Sequence, residues 1–197
     1  MVAKGALLMP KIKTYGTALT PGDVYLGIDQ SYTGFGMTAI APDGSFTTAV
    51  LSTESKDYDH NIDRLVEIRR FIFDFINGNI PPKTFFLKEV AMEGYAYSST
   101  MGHKSGELGG MVKMVLLDLG LYPILVPPAT LKKYVTGKGT GVQKNQILLH
   151  TYKKWDVEFS DDNAADSYGL ARIAAGMSGT SYEKEVLKTL SDPKFKA

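Results

Sequence analysis

The chain has 197 residues, a formal charge of +1, 44% hydrophobic and 22% charged residues, and no cysteine. That length buries one ordinary core without disulfides or structural metal, and the balance excludes a disordered or collagen-like chain. The missing thiols exclude a disulfide scaffold, a thiolate zinc core and a cysteine nucleophile.

No apolar run reaches membrane-spanning length, so no membrane partner is expected. The opening MVAKGALLMPKIKTYG has neither an apolar h-region nor a small-residue cleavage site, so no signal peptide is expected either. Lys4, Lys11 and Lys13 precede the first acid, Asp23, and residues 1–22 read as a solvated arm. Val24 to Asp29 is a β-rich run ending in a carboxylate, and Phe35 to Ala41 is a second strand. Pro42-Asp43-Gly44-Ser45 is a hairpin turn, because Pro presets φ and Gly accepts positive φ. Phe46 to Ser52 completes a three-stranded antiparallel meander.

Ile62, Leu65, Val66, Ile72, Phe73 and Ile76 recur at helical spacing, and Asn77-Gly78-Asn79 with Pro81-Pro82 ends that helix. A fourth strand, Thr84 to Met92, runs into Glu93. A polar loop over 94–104 leads to a helix over Gly106 to Leu119, whose early glycines suggest close approach of a backbone or ligand. Tyr122 to Val126 is a fifth strand, and Pro127-Pro128 opens a helical turn. After the flexible Gly137-Lys138-Gly139-Thr140-Gly141, the residues Ile147, Leu148, Thr151, Tyr152 and Trp155 form one helix face, with Tyr152 and Trp155 expected in the core. Ser160 is the expected cap of the last core helix, Asp161 to Gly176, and Ser181 to Leu190 is a peripheral helix. The order βββαβαβα predicts an α/β domain with a mixed five-stranded sheet.

Three carboxylates stand at informative places: Asp29 and Glu93 at strand ends, and Asp166 one turn into the last core helix. If the two strands are neighbours, a helix packed there delivers Asp166 to the same spot. Clustered carboxylates repel and persist only with a compensating cation. Hard oxygen ligands select Mg²⁺ or Mn²⁺, and two such ions about 4 Å apart activate a water and steady the leaving oxygen of a phosphodiester. Each acid also has a plain reading. Asp29 fits turn chemistry, Glu93 and Glu89 fit solvated strand positions, and Asp161 and Asp162 answer the helix dipole. Asp166 lies beyond the first turn among small residues, and both Asp162 and Asn163 share a helix face with it.

Taken together, these segments resemble RuvC-type Holliday-junction resolvases. Gly27-Ile28-Asp29-Gln30-Ser31-Tyr32-Thr33-Gly34 is similar to their opening strand, and Ala91-Met92-Glu93 to their second acidic strand end. Gly106-Glu107-Leu108-Gly109-Gly110 resembles the start of their following helix. Pro127 to Gly139 with Lys144 resembles their basic stretch, and Asn163-Ala164-Ala165-Asp166-Ser167 their closing helix. The resemblance runs in order from about Val24 to Ala175 and implies an RNase H-like fold over residues 23–177, with 178–197 as a peripheral helix and tail.

Carried over by position, Asp29, Glu93 and Asp166 are metal-binding catalytic carboxylates. The family's fourth acid falls on Asn163, which can coordinate through its carbonyl but carries no charge; Asp162 next door can supply the missing carboxylate, and both remain candidates. The resemblance further implies two Mg²⁺ or Mn²⁺ ions per site and no nucleotide cofactor. It implies a homodimer making coordinated nicks near a four-way DNA junction, in the cytoplasm of a bacterium or phage-infected host; the variation suggests a phage or viral type.

Lys132, Lys133, Lys138, Lys144, Lys153 and Lys154 fall between Thr130 and Trp155 with no acid among them. Such a run attracts phosphates in a salt-dependent, sequence-independent way. Lys153 and Lys154 read as a solvated helix face. Lys144 resembles the family's lysine near the scissile phosphate, where it stabilises charge on a phosphoryl oxygen. Tyr95 and Tyr97 are candidates for stacking on unpaired bases, whereas His103 reads as a polar loop residue. Three other functions compete: an actin-like or sugar-kinase ATPase, for which 197 residues leave no second lobe; a non-catalytic DNA-binding module; and a broader flap, branched-DNA or RNase H-like nuclease.

Overall fold

The computed structural model describes residues 11–81, 83–94 and 102–197. The expected meander is present as β2 (Gly22–Asp29), β3 (Phe35–Ile40) and β4 (Phe46–Ser52), antiparallel in sequence. In the turn before β4, Asp43 accepts from the Ser45 backbone N–H at 3.0 Å, and Gly44 takes the positive φ of +90°. β5 (Phe85–Glu93) lies parallel to β2, and the short β6 (Ile124–Val126) lies parallel to β5.

The sheet has six strands rather than five. Part of the segment expected as a solvated arm forms β1 (Lys11–Gly16), paired antiparallel with β4, and the order is β1-β4-β3-β2-β5-β6. β1 is an edge strand with five of its six residues exposed. Its side chains therefore carry no inside–outside alternation, and it is held by backbone pairing that the sequence pattern does not advertise.

Alternation assigns the two faces of the central strands. Val24, Leu26 and Ile28 of β2, with Phe35 and Met37 of β3 and Val90 and Met92 of β5, face α1 (Asn61–Asn79) and α2 (Gly102–Asp118). Ile68, Ile72 and Leu116 close that core with no exposure. Residues of opposite parity, including Gly27 and Ala91, face a second helical layer. It contains α3 (Pro128–Thr136), α4 (Lys144–Trp155), α5 (Asp162–Ala174) and α6 (Ser181–Leu190). Helices therefore cover both faces of a mixed sheet.

α5 lies unusually close to the strands, and glycine is the reason. A Cβ at Gly27 would sit 2.0 Å from the Ser167 carbonyl oxygen, and one at Gly36 would sit 2.5 Å from that of Asn163. The helix answers with small residues, and the Thr38 and Ser167 hydroxyls hydrogen-bond at 2.8 Å. Two of the α2 glycines expected to permit such an approach do not: a Cβ at Gly106 or Gly110 would meet open space.

Three further expectations are corrected. The cap of α5 is Asp161 rather than Ser160, because its carboxylate accepts from the Asn163 N–H. Tyr152 is exposed rather than core, while Trp155 packs between Tyr134 and Tyr168. Lys154 is not on a solvated face: its ammonium pairs with buried Glu183 at 2.7 Å and donates to the carbonyls of Tyr134 and Val135, tying α4 to α3 and α6. Among the described residues no helix is long and apolar enough to cross a membrane.

Candidate active site

Parallel pairing of β2 with β5 brings two acids together. Ile28 is opposite Met92, so the following residues, Asp29 and Glu93, leave the sheet side by side at its carboxyl end, where open α/β sheets place their crevices. By parity both point toward α5, the helix seated on Gly27 and Gly36. That seating puts Asp166 and Asp162 within electrostatic reach of Asp29. The floor of a cavity of about 290 Å³ is thus acidic, and Lys132 of α3 and Lys144 of α4 stand at its wall.

Burial and mutual repulsion raise the acids. Asp29 is 5% exposed; burial first, then the charges of Glu93 and Asp166, hold its carboxyl well above the usual range. Burial likewise raises Glu93, against the pull of Lys132 and Lys144. Asp166 is pushed up to about 7, by burial and then by Glu93 and Asp162. The Asp29 and Glu93 carboxyls also act on each other directly, which raises the first and lowers the second. At the wall, the Lys144 ammonium is ion-paired to Asp162, which raises the lysine.

The two candidates for the fourth ligand are treated differently. Asp162 faces Lys144 and adds its charge to that felt by Asp29 and Asp166. Asn163 also lines the cavity, but its amide nitrogen donates to Asp161 at 3.0 Å and lies against Gly34, where a Cβ would be only 2.4 Å away. Of the other lysines, Lys133 donates to Glu185 at 2.7 Å, joining α3 to α6, and Lys138 is exposed in the turn after α3. Glu89 shares the parity of Glu93 but pairs with Lys196 at 2.6 Å. Tyr95 and Tyr97 lie outside the described residues.

Gln30 was not singled out in the sequence. It directly follows Asp29, lines the cavity, and donates from Nε2 to the Glu93 carbonyl at 2.6 Å. Its Oε1 is buried without a hydrogen-bond partner among the described residues. Four carboxyl groups and an orphaned amide oxygen form an all-oxygen donor set, which fits a hard dication. As arranged, no three acids among the described residues surround a common point.

This architecture shares the RNase H-like fold of solved RuvC structures. The "Thermus thermophilus RuvC structure" superposes with a TM-score of 0.60 at 17% identity, over 88% of this chain and 98% of its own. A structure of T. thermophilus RuvC in complex with a Holliday junction substrate matches with a TM-score of 0.58 at 19% identity, over 75% of this chain and 90% of its own. No protein-family model and no curated protein matches the chain.

Proposed function

We propose that this protein is a divalent-metal-dependent endonuclease that nicks phosphodiester bonds at branched DNA, with the four-way junction as its first substrate and a homodimer as its working form. The observation that carries the reading is the convergence of Asp29, Glu93, Asp162 and Asp166 from two strand ends and one helix, beneath Lys132 and Lys144. The fold it shares with RuvC, including RuvC bound to a Holliday junction, supports the choice of substrate. A two-fold junction is matched by a two-fold protein, which supports the dimer.

Asp29, Glu93, Asp162 and Asp166 would hold Mg²⁺ or Mn²⁺, with Gln30 Oε1 as a neighbouring acceptor. Bound there, the dications supply an activated water and stabilise the leaving oxygen. The protein's own groups do the rest. The carboxyl groups act as ligands in their ionised form, which burial and mutual repulsion disfavour in the absence of a cation. Lys132 and Lys144 draw the phosphodiester into the cavity, and Lys144 exchanges Asp162 for a phosphoryl oxygen as negative charge grows there. The lysines confer no sequence preference, so selection rests on the shape of the DNA.

The test is a cleavage panel of four-way, three-way, flap, duplex and RNA–DNA substrates with Mg²⁺, Mn²⁺, Ca²⁺ or EDTA. Paired symmetric nicks in the four-way junction, with Mg²⁺ or Mn²⁺ alone, are expected. Preferential cutting of flaps or RNA–DNA would move the substrate class, and binding without metal-dependent cutting would overturn the nuclease reading.

A further inference from the structure

The edge strand β1 touches the three residues that lead into α5. The Tyr15 ring meets Phe159 edge-on, with centroids 5.2 Å apart and planes at 74°. The Tyr15 and Ser160 hydroxyls hydrogen-bond at 3.0 Å. Lys13 Nζ donates to Asp161 Oδ2, also at 3.0 Å. Asp161 caps α5 with its other oxygen: Oδ1 accepts from the Asn163 backbone N–H at 3.1 Å and from Asn163 Nδ2 at 3.0 Å. One carboxylate thus joins β1 to the first turn of the helix that bears Asp162 and Asp166. The Asp161 side chain is only 14% exposed. Burial works to raise its carboxyl, but Lys13 and Asn163 outweigh burial and hold it below the usual range.

We propose that β1 is a clamp on the acidic helix, in which Lys13 and Tyr15 are positioning residues that fix the N-terminus of α5 and so hold Asp162 and Asp166 against Asp29 and Glu93. The roles of those four acids rest on the nuclease reading; the clamp itself is local geometry. Further along, α5 is seated on Gly27 and Gly36 and tied by Ser167 to Thr38. Its first turn is different, because Asp162 adds there to an acidic cluster whose members repel one another. A cation on the outer side of that turn counters the repulsion without occupying the cavity. The Lys13 pair is exposed on the lysine side, so it adds little to global stability. Its effect falls on the placement of one helical turn, and small misplacements of ligands slow chemistry strongly.

The test compares Lys13→Met, Tyr15→Phe and Lys13→Arg with the wild-type chain. Amide exchange at Asn163, Mn²⁺ affinity, thermal stability, junction affinity in Ca²⁺ and single-turnover cleavage are measured for each. In Lys13→Met, Asn163 exchange should quicken about fivefold and Mn²⁺ affinity fall about threefold, as expected for loss of one cap-supporting ion pair. Cleavage should fall with Mn²⁺ affinity while junction Kd stays within about twofold. Tyr15→Phe should move the same readouts less, and Lys13→Arg should restore them. Unchanged Asn163 exchange and Mn²⁺ affinity in Lys13→Met would overturn the clamp. So would a weakened junction Kd with a shallower salt dependence, which would make Lys13 a phosphate contact, or a fall in melting temperature that accounts for the lost rate. If the wild-type protein nicks no substrate, the nuclease reading fails, while exchange and Mn²⁺ binding still decide the clamp.

Discussion

The ammonium of Lys144 is held by the carboxylate of Asp162, 18 residues further along the chain. The first residue of α4 thereby reaches the first residue of α5 across the acidic cavity. On the nuclease reading this lysine is stored against an acid and released to a phosphate. Lys144→Ala should slow single-turnover cleavage about 100-fold, the scale for removing one preorganised charge-stabilising group. Junction binding in Ca²⁺ should change by less than about threefold, since one lysine among several adds little to total phosphate attraction. Affinity and rate falling together would make Lys144 an ordinary groove contact.

Asp29→Asn and Glu93→Gln are near-isosteric and remove one charge each from adjoining strand ends. Both should abolish metal-dependent nicking while retaining junction binding, because the cavity would then lack ligands for two dications. In EDTA, neither should lower the melting temperature, because each near-isosteric change removes one member of a buried, mutually repelling set of acids. Near-normal nicking by Asp29→Asn would return that residue to turn chemistry.

The buried acids also set the pH dependence of stability when no dication is present. Asp166 titrates near 7 in the folded chain against an ordinary value of 3.8. Between those values the folded state keeps a proton that the unfolded chain releases. Stability therefore declines as pH rises through that window, the reverse of the usual salt-bridged aspartate. Urea midpoints in EDTA should fall from about pH 5 to about pH 7, and Asp166→Asn should flatten the slope. Mg²⁺ should restore stability at the upper end in the wild-type chain. A wild-type slope that Asp166→Asn leaves untouched would show that other groups set it.

Much of this arrangement is legible in the sequence, and the parts that are not have identifiable causes. Asp29 and Glu93 stand out because each ends a β-rich run, and parallel pairing makes them neighbours. Asp166 stands out because the helix dipole does not explain it. β1 is hidden because an exposed edge strand needs no alternation. The choice between Asp162 and Asn163 is hidden because both fit the helical spacing; it turns on Gly34, Asp161 and Lys144, all brought there by tertiary packing. Lys154 reads as solvated because its partner Glu183 lies 29 positions away on a helix that reads as peripheral.

That choice can be measured. Asp162→Asn should cost at least about tenfold in cleavage and weaken Mn²⁺ binding, since it removes a charge from the acidic cluster. Asn163→Ala should keep most of the activity and lose about 0.5–1.5 kcal/mol of stability, the worth of a typical side-chain hydrogen bond. Urea denaturation with parallel cleavage assays separates the two. The opposite ranking, with Asn163→Ala the less active, would put the Asn163 carbonyl on the metal.

Gly27 connects the fold to the chemistry most directly. A Cβ there would lie 2.0 Å from the Ser167 carbonyl oxygen and 2.2 Å from the Ala171 backbone nitrogen. Both are main-chain atoms of α5, so no side-chain rotation relieves the contact, and the helix must lift from β2. Lifting it strains the hydrogen bond between Thr38 and Ser167 and carries the adjacent Asp166 away from Asp29. Gly27→Ala should therefore destabilise by about 2–4 kcal/mol, at or above the usual cost of overpacking. For a chain of this length that lowers the melting temperature by roughly 4–16 °C. Cleavage should be lost even where circular dichroism reports a folded chain, because ligand placement fails before the fold does. Gly110→Ala is the control: its Cβ meets open space within α2, so helix propensity alone should raise stability by about 0.5–1 kcal/mol. If the two substitutions behaved alike, close seating of α5 on β2 would not be what positions Asp166.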